Sequence, residues 1–92
     1  MIEYDPVKDQ INQARHRLPL GAAELLFEGP FIEEEDRRRD YGETRFVATG
    51  PVEEFGSRIH VVVYVWRDGV RRIISFRKAN DREIGKYRAG IA

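Results

Sequence analysis

The sequence predicts an α+β domain: two amino-terminal helices packed on one face of a mainly antiparallel, twisted sheet of about four main strands, with a carboxy-terminal helix. Three observations carry this. Apolar residues recur at helical spacing before residue 28, short β-rich runs fill the stretch from Phe31 to Arg77, and Asp68-Gly69 joins the two strongest of those runs. A sheet covered by helices on one side leaves its second side open.

The elements follow in order. Ile2 to Tyr4 is a short β-like start, and Asp5-Pro6 supplies an N-cap residue followed by proline at the first helical position. The helix runs to about Arg17, with Val7, Ile11, Ala14 and Leu18 as an apolar stripe expected to face the core. Pro19 ends it, and Leu20 to Phe27 reads as a second, shorter helix closed near Gly29-Pro30. Strands are expected from Phe31 to about Glu35 and from Thr44 to Thr49, separated by the charged segment EEEDRRRDYG as an exposed turn. Gly50-Pro51 is expected to break the second of them. Arg58 to Arg67 is the strongest strand, and Val70 to Arg77 returns antiparallel after a type I′ turn. Asn80 or Asp81 caps a final helix marked by Ile84, Tyr87, Arg88 and Ile91.

Length and composition narrow the function classes. A chain of 92 residues suits one domain spanning 1–92 with one modest core. It has no cysteine, which leaves no thiolate metal site, cysteine nucleophile or disulfide scaffold. No apolar run nears the ~20 residues that cross a bilayer, and the opening MIEYDPVKDQ is unlike a signal peptide, so a cytoplasmic setting without a membrane partner is expected. The zero net charge conceals a segregation: residues 1–56 hold seven basic and thirteen acidic side chains, a net of −6, and residues 57–92 hold nine and three, a net of +6. The basic half suits phosphates; the acidic half suits a basic partner.

A two-residue turn at Asp68-Gly69 sets Arg67 opposite Val70, and every opposed pair then sums to 137. One face would carry Val65 with Arg72, Val63 with Ile74, Val61 with Phe76 and Ile59 with Lys78, and would pack on the helices. The other would carry Trp66 with Arg71, Tyr64 with Ile73, Val62 with Ser75 and His60 with Arg77. Arginines among aromatics on an open sheet fit RNA, because guanidinium forks bind phosphates and rings stack on unpaired bases. A partner interface or a second small core fits the same residues. His16 and His60 lack metal-ligand spacing, and no metal or other cofactor is expected. The register places His60 across from Arg77, whose charge would depress its pKa and leave it able to accept a proton.

Arg15-His16, Glu43-x-Arg45, the valine-rich strand, Arg72-Ile-Ile-Ser-x-Arg77-Lys78-Ala79, Arg82-Glu83 and Tyr87 together resemble the BrnT family of toxin ribonucleases. The likeness covers almost the whole chain, its carboxy-terminal block is the specific part, and Arg15 stands where the family usually has lysine. It implies a compact RelE-like fold, the toxin role in a bacterial type II toxin-antitoxin pair, RNA cleavage, and neutralisation by a ribbon-helix-helix antitoxin, BrnA. Operator DNA would be reached only through that antitoxin.

The reaction consistent with both lines is metal-independent attack of a ribose 2′-OH on the adjacent phosphorus. Arg77 and Arg45 lead as groups that bind the developing charge, with Arg72 and Lys78 assisting. Glu43, His60 or a desolvated Lys78 are the candidate bases, and Tyr87 positions or donates a proton. Arg71, Arg72, Trp66, Tyr64, Arg82 and Lys86 are the candidate RNA contacts. Arg72 falls on the core-facing row of the expected register, so it must snorkel to the rim, follow a bulge, or pair with the acidic front half.

Overall fold

Asp5 and Pro6 start the first helix as their chemistry requires: the Asp5 carboxylate accepts a hydrogen bond from the Val7 backbone N–H at 2.8 Å. The computed structural model describes residues 1–37 and 42–91. In chain order they form β1 (Ile2–Tyr4), α1 (Pro6–His16), a 3₁₀ segment (Leu20–Glu28), β2 (Ile32–Asp36), β3 (Arg45–Val52), a 3₁₀ turn (Glu53–Phe55), β4 (Arg58–Arg67), β5 (Val70–Lys78) and α2 (Asp81–Ile91). Among the described residues no helix is long and apolar enough to cross a membrane.

The sheet has five strands in the order β1-β5-β4-β3-β2, the four main strands expected and the short opening strand β1. It is mixed, because β1 runs parallel to β5 while the other pairings are antiparallel. The second helix is also corrected. Leu20, Ala23 and Leu26 are its buried residues, and their spacing of three is the period of a 3₁₀ helix, which brings them onto one line facing the sheet. Gly50-Pro51 does not break β3; the strand runs to Val52. A Cβ on Gly50 would lie 2.5 Å from the Pro30 carbonyl oxygen, so glycine is present for close approach. Pro51 lies beyond the last β2 partner, Thr49, and its missing N–H costs the ladder nothing on that side. The exposed turn expected within the charged segment falls largely on residues 38–41, outside those described.

The core gathers Leu18, Leu20, Ala23 and Leu26 against Ala48, Val52, Val62, Tyr64, Ile73 and Phe76. The stripe expected on α1 is reversed: Val7 and Ile11 are 63% and 53% exposed, and Asn12 is buried. This helix docks through polar groups. Asp9 accepts from the Leu20 N–H at 2.8 Å, and Asn12 occupies the free edge of β5 beyond the end of β1. There its amide donates to the Phe76 and Leu18 carbonyls and accepts from the Phe76 N–H. A strand edge presents unpaired backbone groups, and an inward apolar stripe could not have satisfied them.

Candidate functional site

The β-turn forms as expected, with Asp68 and Gly69 at φ of 52° and 76°. Pairs from Arg67–Val70 to Tyr64–Ile73 keep the predicted register, and then a bulge intervenes. Val63 meets Ser75, Val62 meets Phe76, Val61 meets Arg77 and His60 meets Lys78. Ile74 is the extra residue. Five positions separate Arg72 from Arg77, so a regular strand would aim them at opposite faces; one inserted residue aims them at the same face.

The bulge regroups the β5 residues beyond it, and, independently of it, the face carrying Tyr64 rather than the one carrying Val65 packs on the 3₁₀ segment. Tyr64, Ile73, Val62, His60 and Phe76 face the 3₁₀ segment and are buried. Tyr64, expected as an RNA contact, is a core residue whose hydroxyl donates to Glu33. Burial, reinforced by that carboxylate, pushes its pKa up to about 12. Val61, Val63, Val65, Arg72, Ser75 and Arg77 look the other way. Extending the β3–β4 register by one residue sets Arg45 level with Val65, so Asp36, Arg45, Val65, Arg72 and Glu3 form one row across all five strands. Arg72 ion-pairs there with Glu3 at 3.6 Å, the acidic front half meeting the basic one. At the hairpin end Arg67 donates to Glu43 at 2.9 Å.

Helix α2 packs over the far end of this second face and leaves a cleft of about 400 Å³. Its walls carry the cations Arg37, Arg77, Arg82 and Lys86 and, in equal number, the carboxylates Glu34, Glu35, Asp36 and Glu83, over Val47, Thr49 and Val63. Arg77 makes a two-pronged ion pair with Glu83, both contacts 2.8 Å. Glu83 and Asn80 in turn exchange side-chain and backbone hydrogen bonds of 2.9 Å, a capping box that starts α2 and settles Asn80 as its cap. The Arg77 guanidinium, with the Asn80 N–H assisting, holds the Glu83 carboxyl below the usual range despite burial. Lys86 grips Glu34 of β2 through both oxygens, at 2.6 and 2.8 Å. Tyr87 is buried beneath α2 and is not among the side chains forming the cleft.

Other expected site residues lie elsewhere. Arg71 is caged on the core side, its guanidinium carbon 3.9 Å from the Phe27 ring centroid and 4.7 Å from that of Trp66. Trp66 is the exposed wall of that cage. His60, expected beside Arg77, is 1% exposed on the core side, between the rings of Phe55 and Phe76. Its Nδ1 donates to the Arg58 carbonyl at 2.7 Å. Burial lowers its pKa, opposed by that hydrogen bond and reinforced by the charges of Lys78 and Arg58. Since the unfolded imidazole protonates first, the stability His60 contributes is present above about pH 6.5 and is lost as pH falls through its lowered folded pKa. Urea midpoints are thus expected to drop below pH 6.5, with a shallower slope in His60→Gln; equal slopes would assign the effect to other groups.

His16 is not among the expected site residues. It ends α1 next to β5, and its pKa is lowered by burial, then by the charges of Arg15 and Arg77. The only sequence signal was its place in the Arg15-His16 pair, because the helix reading made the opposite side of α1 the docked one.

A face of paired acidic and basic side chains thus crosses a five-stranded mixed sheet under a capped terminal helix. Residues 4–83 match the family model described as "Ribonuclease toxin, BrnT, of type II toxin-antitoxin system". The chain belongs to the BrnT family. Membership makes it a toxin of such a system, with an RNA target and an antitoxin partner. The crystal structure of the Brucella abortus ribonuclease toxin BrnT is similar in fold, with a TM-score of 0.62 and 23% identity, over 87% of this chain and 96% of that one. No curated protein matches the sequence.

Proposed function

We propose that this toxin is a metal-independent endoribonuclease whose working surface is the face shared by Arg45, Arg72 and Arg77 together with the α2 cleft, and that a BrnA-like ribbon-helix-helix antitoxin neutralises it. The observation that carries this reading is the bulge at Ile74, which unites Arg72 and Arg77 on one face. Phosphate held there gains charge-assisted hydrogen bonds in a partly buried setting, where they are worth about twice neutral ones.

Arg77, kept in place by Glu83, would bind the phosphorus oxygens as negative charge grows, with Arg45 and Arg72 completing the grip. Arg82 and Lys86 would hold the neighbouring backbone. Arginine stays protonated and cannot take the 2′-OH proton. His16 is the base this arrangement supports best, being held neutral and lying within the field of Arg77. Glu43 is the alternative on the same face, engaged by Arg67. Tyr87 would act by seating α2. His60 and Lys78 stand on the core-side face and are not needed for this chemistry.

The purified chain is expected to cut single-stranded RNA in EDTA and to spare an oligonucleotide carrying 2′-deoxyribose at the cleaved position. Cleavage that requires an added metal, or that ignores the 2′-deoxy substitution, would sink the mechanism. A chain that binds its partner but never cuts RNA would instead favour a non-catalytic co-regulator.

A further inference from the structure

On the face away from the α2 cleft, between the end of α1 and the β4–β5 ladder, lies a cavity of about 350 Å³ walled by His16, Arg17, Arg58, His60, Lys78 and Phe55. Its charge has one sign. Arg67, Arg72, Arg77 and Lys86 each have a carboxylate partner, whereas among the described residues Arg17, Arg58 and Lys78 have none within ion-pair distance. Glu53 and Glu54, the acids nearest Arg58 in sequence, line a different cavity with Leu25 and Pro30. Three permanent cations and two imidazoles thus converge on one concave space with no counter-charge, an arrangement that repels itself until an anion enters.

The geometry points to a phosphate monoester site: Arg17, Arg58 and Lys78 neutralise the anion, and His60 accepts a hydrogen bond from its P–OH. The Arg58 carbonyl can only accept, so His60 Nδ1 must carry the proton and Nε2 the lone pair. Among the described residues Nε2 has no hydrogen-bond partner. A lone pair among cations discriminates between phosphates. A monoester, with its second pKa of about 6, has an oxygen that either carries the proton Nε2 accepts or takes the second negative charge the three cations favour, whereas an internal diester has no such oxygen. Free phosphate and the phosphorylated end of a nucleic acid share this chemistry. Its anion-holding groups, Arg17, Arg58, Lys78 and His60, have no part in the ribonuclease reading; His16 at the rim is the one residue the two sites share.

The test is a titration of the intact chain with inorganic phosphate, a 5′-phosphorylated deoxydinucleotide and the same dinucleotide unphosphorylated, followed by the His16 and His60 ring resonances in NMR spectra. Inorganic phosphate is expected to shift both rings saturably. Arg58→Gln and Lys78→Gln, at exposed positions that leave the core untouched, should each weaken binding about five- to tenfold, and Arg88→Gln should not. Binding of the phosphorylated dinucleotide as well would assign the site to nucleic-acid ends; binding of inorganic phosphate alone would assign it to the free ion. Equal binding of the unphosphorylated dinucleotide, shifts confined to Thr49 and Lys86 in the other cleft, or wild-type affinity in both glutamine variants would overturn the proposal.

Discussion

Arg77→Ala is expected to lower RNA cleavage by roughly 10²–10³-fold, the loss typical of removing one pre-organised donor to developing charge. Growth arrest on expression in a bacterium should disappear with it. The substitution also strands Glu83, so loss of folding is the competing explanation. Glu83→Gln separates the two. It removes the charged partner of the pair but keeps the guanidinium, so it is expected to share the small loss of thermal stability while retaining much more cleavage. Equal losses of cleavage in the two variants, tracking equal losses of folded protein, would reduce Arg77 to a structural residue. Unchanged cleavage in Arg77→Ala would refute its role outright.

Asn12→Ala is expected to be among the most destabilising single changes in the chain. The buried amide makes three hydrogen bonds, at 2.8, 2.8 and 3.1 Å, to the Leu18 carbonyl and to both backbone groups of Phe76. Removing it strands those groups in a site where each costs about 1–3 kcal/mol, and water can recover only part. A net loss of about 3 kcal/mol corresponds to a fall in Tm on the order of 10–20 °C for a domain of this size. Asn12→Asp should fare no better, because a carboxylate would face the Phe76 and Leu18 carbonyl oxygens with no proton to donate. Thermal melts that put Asn12→Ala within two degrees of the wild type would show that the β5 edge is held some other way.

Both residues show what local sequence conveys. Asn12 reads as the polar side of an amphipathic helix, since Val7 and Ile11 recur at helical spacing. Periodicity identifies a helix from its own residues, but the neighbour decides which side is buried. Here the neighbour is a strand edge with backbone groups to satisfy, and a polar stripe of Asp5, Asp9, Asn12 and His16 does so where an apolar one could not. Leu20, Ala23 and Leu26 were visible as apolar residues; their spacing of three announces a 3₁₀ segment only once a flat sheet face is there to receive it.

The candidate site divides the same way. The residue types were legible: the strand from Val70, the turn at Asp68-Gly69, the capping chemistry at Asn80 and Glu83, and the block from Arg72 to Ala79 on which the resemblance rested are local or compositional features. Their grouping was not. A hairpin register is set at its turn and propagates by alternation, so a single bulge at Ile74 switches the face of each β5 residue beyond it, Ser75 to Lys78, while β4 keeps its alternation. Arg77 and Arg72 came together on one face, while His60 and Lys78 went to the other.

By itself, then, the sequence determined which segments form strands and helices, where the chain turns, and that the carboxy-terminal half is basic and the front half acidic. Those properties depend on neighbours a few residues apart. The tertiary structure decided the parallel seat of β1, the inward side of α1 and the partition of the cationic residues between two faces, because each depends on backbone groups that only a partner strand presents or satisfies.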